Sequence, residues 1–252
     1  MTYTNSPLVS YVKLSPNHSG RRTHCIDTIT IHCVVGQCSV ETLGSIFSKA
    51  SRQASCNYGI GADGRIGMYV EEKNRSWCTS SRSNDQRAIT IEVASDTKPP
   101  YAVNSKAYAA LINLIVDICK RNNIKKLLWK ADKSLIGQVD KQNMTVHRWF
   151  ANTACPGDYL YSRHAQIAAE VNKKLGAVFE PYLARVTADV LNIRKGPGTN
   201  YDVVGQIKDR GTYTIVEEKN GWGLLKAYQK NRNGWISLNY CKKSEGIMNG
   251  KL

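Results

Sequence analysis

TITIHC, residues 28–33, alternates strictly: Ile29, Ile31 and Cys33 fall on one side of an extended chain, Thr30 and His32 on the other. AITIEVA, residues 88–94, repeats the design, with Ile89, Ile91 and Val93 opposed to Thr90 and Glu92. Each predicted strand therefore presents one ionisable group from the side opposite its apolar row. Around them, SVETLGSIF (39–47) opens on a serine cap and has apolar residues at helical spacing. NYGIGADGRIGMYVEE (57–72) places the Asp63-Gly64 turn signal between two strand-like pieces, which predicts a hairpin. NSKAYAALINLIVDICKRN (104–122) is amphipathic with Asn104 as its cap, and a last helix is expected from Gly157 to Leu175. The order strand, helix, hairpin, strand, helix, helix predicts an α/β fold: a mixed central sheet flanked by helices, spanning residues 1–176.

After GAVFEPY (176–182) the pattern changes to short strands cut by Gly-Pro-Gly, Arg-Gly and Asn-Gly turns. This predicts a second, all-β unit, a small barrel over residues 183–243.

The chain has 252 residues, with 35 Lys and Arg against 20 Asp and Glu, a formal charge of +15. Basic residues exceed acidic ones on both sides of residue 177, so the excess is not one tail. Such a balance favours an anionic partner: nucleic acid, a membrane surface or an acidic polymer such as a bacterial wall. Residues 1–15 contain no apolar run of signal-peptide length, and no stretch approaches the roughly 18 apolar residues of a membrane span. Synthesis in a cytosol without stable membrane insertion is expected. Seven of the eight cysteines lie in the first 155 residues, yet no Cys-x2-Cys pair occurs, which argues against a four-cysteine zinc knuckle. Most are expected to be small buried fillers, with disulfides as the alternative for work outside a cell.

TVHRWFANTACPGDYL (145–160) places His147 eight residues before Cys155. With His32 they supply two imidazoles and a thiol, the donors of a zinc site with one position open for water. A buried histidine and a core thiol remain the competing account of the same spacing. Glu92, set between Ile91 and Val93, would be costly to bury without a purpose.

TITIHC, NYGIGADGRI, ITIEVAS and VHRWFANTACPGDYL occur in the order seen in the zinc-dependent N-acetylmuramoyl-L-alanine amidases of the type 2 family, which the chain resembles over residues 20–175. That family shares its fold with peptidoglycan recognition proteins and is common among phage endolysins and bacterial autolysins. The resemblance implies zinc as cofactor, His32, His147 and Cys155 as its ligands, and Glu92 as the catalytic carboxylate. It implies cleavage of the amide between N-acetylmuramic acid and L-alanine, with bacterial peptidoglycan as partner. Two departures stand out. Cys56 occupies the position of a tyrosine used by some members, so Tyr58, two residues on, is given no catalytic role. Thr153 stands where one branch has a proton-transferring lysine; it either supports the transition state by a hydrogen bond or serves as a structural hydroxyl.

VLNIRKGPGTNYDVVGQI (190–207), Asn220 to Trp222 and Gly234 to Ile236 resemble a bacterial SH3-type module. Leu191, Ile193, Val204 and Ile207 are its expected core. The resemblance implies wall binding, with Tyr201, Trp222, Tyr228 and Trp235 as candidate stacking residues; Trp222 and Trp235 serve equally well as core. Anionic wall polymers suit the charge. A nucleic-acid partner rests on charge alone and is not expected. A chain without a leader suits an endolysin made in a host cytoplasm and released onto the wall, with a secreted autolysin as the alternative. Rival functions are peptidoglycan recognition without cleavage, and a zinc peptidase or deacetylase on the same polymer.

Overall fold

The computed structural model describes residues 3–176, 179, 181–226 and 234–244. The chain divides into two compact units, Met1–Ala177 and Val178–Leu252.

In chain order the first unit contains β1 (Tyr11–Val12), β2 (His18–Arg21), β3 (Thr28–Val35), α1 (Val40–Phe47), β4 (Tyr58–Ile60), β5 (Ile66–Met68), β6 (Asn74–Ser76), α2 (Arg82–Arg87), β7 (Ala88–Ser95), α3 (Ser105–Arg121), β8 (Met144–Thr145) and α4 (Gly157–Leu175). Six strands form a mixed sheet in the order β1-β5-β4-β7-β3-β8, while β2 and β6 pair separately. The two alternating segments lie side by side, parallel and in unbroken register from Thr28 opposite Ala88 to Val35 opposite Ser95.

The helices begin where their caps predict. The Ser39 side chain accepts the Thr42 N–H at the start of α1, and Asn104 accepts that of Ala107 at the start of α3. Helix α4 stops at Gly176, which is left-handed with φ 70° and closes the last turn with its N–H. In the β4–β5 hairpin, Gly61 N–H bonds the Arg65 carbonyl at 3.0 Å, and Gly64 takes φ 86° where a Cβ would meet the Lys106 carbonyl oxygen at 3.1 Å. Only glycine meets both conditions without strain.

The apolar face of the sheet packs Ile29, Ile31, Ile89, Ile91 and Val93 against residues of α3 and α4, including Leu111, Ile115, Leu160 and Ile167. The opposite face differs from what alternation suggests, because its threonines are not solvated. Thr30, Thr90 and His32 are fully buried. Thr30 Oγ1 lies 2.7 Å from Thr145 Oγ1 and accepts from the Asn84 amide at 3.1 Å, while Thr145 donates to the Asn84 carbonyl oxygen at 2.9 Å. Thr90 Oγ1 contacts Ser76 Oγ at 2.8 Å and accepts the Asn57 N–H at 3.1 Å. Central parallel strands are covered on both faces, and the second cover here is polar, made by residues of α2 and β6. Arg82 and Asn84 lie on the short helix α2, and Asn84 is buried in this network.

The second unit comprises β9 (Tyr182–Val186), β10 (Leu191–Arg194), β11 (Val203–Ile207), β12 (Thr212–Lys219), β13 (Trp222–Leu225), β14 (Trp235–Ser237) and β15 (Cys241–Lys243). All are paired antiparallel in the order β11-β10-β14-β13-β12-β9-β15. Leu191, Ile193 and Ile207 join Ala184, Val186, Ile215, Leu225 and Ile236 in its core, with Val204 packed at the margin.

Candidate active site

The sheet brings together residues far apart in sequence. His32, in the middle of β3, stands directly opposite Glu92 on β7, with Nδ1 4.0 Å from Oε1. β8 pairs with β3 through Met144 and Thr145, so the chain leaving it delivers His147 beside His32, the rings 5.1 Å apart between centroids. Cys155 follows on the loop into α4, its Sγ 3.3 Å from His32 Nδ1. One donor atom each from His32, His147 and Cys155 lies within 4.8 Å of the others.

The loop between His147 and Cys155 is tied by Arg148. Its backbone N–H bonds the Cys155 carbonyl at 3.2 Å, and its guanidinium reaches the Ala154 carbonyl and Asp158 Oδ1. Gly157 has φ 78° and sits against Tyr101, where a Cβ would come within 2.9 Å of the tyrosine Cβ. This close approach seats the start of α4, and with it Cys155. Thr153 Oγ1 accepts the Cys155 N–H at 3.2 Å.

The electrostatics suit a cation. Burial, reinforced by the neighbouring His147 and His164, holds His32 well below the usual imidazole range, and burial lowers His147 as well. Both rings are therefore neutral and able to offer a lone pair. The Nε2 atoms of His32 and His147 are buried without a hydrogen-bond partner, as is Glu92 Oε2. The hydrogen bond with Cys33, burial and the Glu92 carboxyl all push the Cys155 thiol upward. A thiolate there requires a positive partner, which a metal supplies. Burial raises the Glu92 carboxyl to about 7, against the opposing charge of Arg52, although its side chain keeps 16% of its surface exposed. A carboxyl poised near neutrality both takes and returns protons. The donor set and the orphaned nitrogens fit a zinc ion.

Several features escaped the sequence. Cys33, a free thiol, lies close enough to the Cys155 thiol to shift its ionisation, and Cys78 lies within 4.8 Å of His32 and Glu92 donors, yet neither has a spacing signal. Arg148 is adjacent to His147 but reveals its role only through carbonyls seven residues on. Tyr58 is fully buried, its hydroxyl 2.6 Å from Glu72 Oε1, and takes no part in the centre. In the second unit, Trp222 and Trp235 occupy one face of β13 and β14, opposite the core residues Gly223, Leu225 and Ile236, and are half-buried. Tyr201 is 42% exposed with its ring on Gly196. Tyr228 lies outside the described residues.

Two imidazoles, a thiol and a carboxyl, gathered at the central strands of a mixed α/β sheet, are a donor set of the kind that can hold a metal ion beside an acid–base group. The sequence profile described as N-acetylmuramoyl-L-alanine amidase matches residues 21–158, more than half the chain, and the protein belongs to that family. It is a peptidoglycan amidase, and a bacterial SH3 domain matches residues 189–242. Among solved structures, the chain is similar to a mutant endolysin from Bacillus subtilis at 16% identity and TM-score 0.48, covering 64% of this chain and 97% of that one. It is also similar to the Staphylococcus aureus hydrolase AmiA in complex with its ligand, at 14% identity and TM-score 0.49, over 68% and 85% of the two chains. The endolysin amidase LysCS from Clostridium intestinale is 16% identical with TM-score 0.43, over 65% and 97%. No curated protein matches the chain.

Proposed function

We propose that His32, His147 and Cys155 hold one zinc ion and that Glu92 moves the protons of hydrolysis at the bond between N-acetylmuramic acid and L-alanine. The observation that carries this is the convergence of two neutral imidazoles and a thiol within 4.8 Å, in register with a buried carboxyl. Zinc, when bound, supplies polarisation of the scissile carbonyl and of the attacking water. Glu92 takes a proton from that water as it attacks and passes it to the departing alanine nitrogen, so the same oxygen serves first as base and then as acid. Arg148 keeps the Cys155 loop in place through the carbonyls it binds. Thr153 anchors the Cys155 amide, and its own O–H is the group assigned to the developing oxyanion.

Residues 183–243 are assigned to wall binding, with Tyr201, Trp222 and Trp235 as stacking platforms and the formal charge of +15 favouring anionic wall polymers. Tethering of this kind raises the local concentration of enzyme at its polymer without altering the chemistry. No helix among the described residues is long and apolar enough to cross a membrane. The role that suits this pairing is an endolysin made in a bacterial cytoplasm and acting on the wall, with an autolysin as the alternative. Mass spectrometry of Gram-positive peptidoglycan treated with the protein tests the assignment: muramic acid freed of peptide is expected. New amino termini within the peptide, or released acetate, would move it to a peptidase or a deacetylase.

A further inference from the structure

The second cluster of metal-ligating side chains in the first unit lies on the turn that leads into β3, where the chain reads His24-Cys25-Ile26-Asp27. His24 Nδ1 is 3.5 Å from Cys25 Sγ and 3.6 Å from Asp27 Oδ2, and Sγ is 3.9 Å from Oδ2. A tetrahedral zinc-sized cation binds nitrogen at about 2.0–2.1 Å, thiolate at about 2.3 Å and carboxylate oxygen at about 2.0–2.2 Å. Those bond lengths place its nitrogen and sulfur about 3.6 Å apart, nitrogen and oxygen about 3.4 Å, and sulfur and oxygen about 3.6 Å. Every edge of the observed triangle agrees with that figure to within about 0.3 Å. The three donor–donor distances are close to those a bound cation would impose.

The surroundings hold the Asp27 carboxylate and the backbone of the turn. Arg87 Nε donates to Asp27 Oδ1 at 3.0 Å and its Nη2 to Oδ2 at 2.5 Å, while the Thr28 hydroxyl donates to Oδ1 at 2.9 Å. Carboxylate ligands are commonly oriented by such outer hydrogen bonds, and Oδ2 retains a second lone pair. The Tyr3 hydroxyl donates to the His24 carbonyl at 2.9 Å and pins the turn from outside. The competing arrangement is local: His24 Nδ1 also lies 2.9 Å from the Cys25 carbonyl oxygen. That contact needs the proton on Nδ1, whereas the other neutral tautomer carries it on Nε2 and leaves the Nδ1 lone pair for a metal.

We propose that His24, Cys25 and Asp27 form a second, exchangeable site for a borderline-soft divalent cation of the zinc type. Imidazole and thiolate select such an ion over calcium or magnesium, which take oxygen ligands. On binding, the Cys25 thiol releases its proton to solvent and the sulfur forms the bond to the cation. Thiolate and carboxylate together cancel the divalent charge. Three protein donors leave a position for water, and the half-exposed His24 and exposed Cys25 let the ion exchange. The site stands apart from the amidase residues and does not depend on the roles assigned to them.

The test is the zinc content of the reduced full-length protein, equilibrated in buffers of fixed free zinc and read by elemental mass spectrometry. Wild type is expected to bind two ions per chain. Cys25→Ser is expected to bind one with its amidase rate unchanged, and Cys155→Ser one with that rate lost. A Cys25→Ser protein that keeps the wild-type count overturns the proposal, whatever that count is. Failure of the amidase assignment shows separately, as a count unaffected by Cys155→Ser. Cobalt gives an independent reading: in Cys155→Ser, a thiolate-to-cobalt charge-transfer band that disappears when Cys25→Ser is added supports the site. Absence of any such band overturns it.

Discussion

His32 and Glu92 are direct partners in the parallel pairing of β3 and β7, and their side chains meet at 4.0 Å between Nδ1 and Oε1. This register is what makes two similar strands into a site. A shift of one residue would turn one of the two groups onto the opposite face and separate them. The eight-residue pairing that prevents the shift is anchored on one side by interlocked isoleucines and on the other by the threonine network. Division of labour across this pair leads to the first expectation. Glu92→Gln keeps size and hydrogen bonding but cannot accept a proton. It should retain one zinc at the amidase centre while the turnover rate on peptidoglycan falls about 10²–10⁴-fold, the usual contribution of a general base. Loss of metal in this variant would instead make Glu92 a ligand.

Cys155→Ser addresses the other half of the division. The serine hydroxyl preserves shape but offers no thiolate, so the amidase centre should lose its metal and its activity while the far-ultraviolet circular dichroism stays as in wild type. His147→Ala should do the same. Metal bound to that centre at wild-type affinity in either variant would contradict the ligand assignment. Addition and removal of a chelator on the wild type should abolish and restore turnover in step with zinc content.

How far the sequence anticipates this arrangement depends on the reach of each interaction. Period-two alternation places His32 and Glu92 on strands, and the caps Ser39 and Asn104 mark helix starts because those signals act over a few residues. Alternation alone, however, cannot say what covers the polar face. It suggests solvent at Thr30 and Thr90, where the fold supplies Asn84, Thr145, Ser76 and Asn57 from 14 to 115 residues away. The same limit hides Cys33 beside Cys155 and the two-strand pairing of β2 with β6, whose register is irregular. His147 and Cys155 became candidates through residue type and resemblance. Their approach to His32 depends on β8, a strand of two residues with no periodicity to read.

Tyr58 offers a test of what lies outside the chemistry. Its hydroxyl donates to Glu72 Oε1 at 2.6 Å and accepts the Ser6 N–H at 2.9 Å, within a buried group that includes the Arg121–Glu72 ion pair. Tyr58→Phe leaves a buried N–H without its acceptor and should lower unfolding stability by about 1–3 kcal/mol. The turnover rate at a temperature where both proteins are folded should not change. A large loss of rate with unaltered stability would instead place this hydroxyl in the reaction.

His164 gives the first unit a pH dependence with a definite sign. Its Nδ1 donates to the Leu160 carbonyl at 2.7 Å, its ring lies 4.6 Å from Trp129, and burial lowers it to about 4 from the usual 6.5. Above pH 6.5 the residue is neutral in both states and the native form pays no penalty. As pH falls from about 6.5 to about 4, the unfolded chain takes up a proton that the native one refuses, so stability is lost across that window. A shift of this size corresponds to at most about 3 kcal/mol. Urea unfolding at pH 7.5, 6 and 5 should show a shallower loss for His164→Gln than for wild type. Equal slopes would mean that other groups, His32 among them, carry the acid sensitivity.

The proposed role of the second unit predicts that binding can be separated from catalysis. Register places Trp222 and Trp235 on the same face of neighbouring strands, away from the core built by Leu225 and Ile236, so replacing them leaves that core in place. The double variant Trp222→Ala, Trp235→Ala should therefore unfold near the wild-type temperature. Its co-sedimentation with insoluble peptidoglycan should weaken several-fold, because aromatic platforms supply rigid apolar area at little entropic cost. Turnover of a soluble muramyl peptide, which needs no tether, should match wild type, while lysis of intact walls at low enzyme concentration should slow. Unchanged sedimentation would move wall binding to another surface of this unit. Loss of the folded state would return both tryptophans to the core.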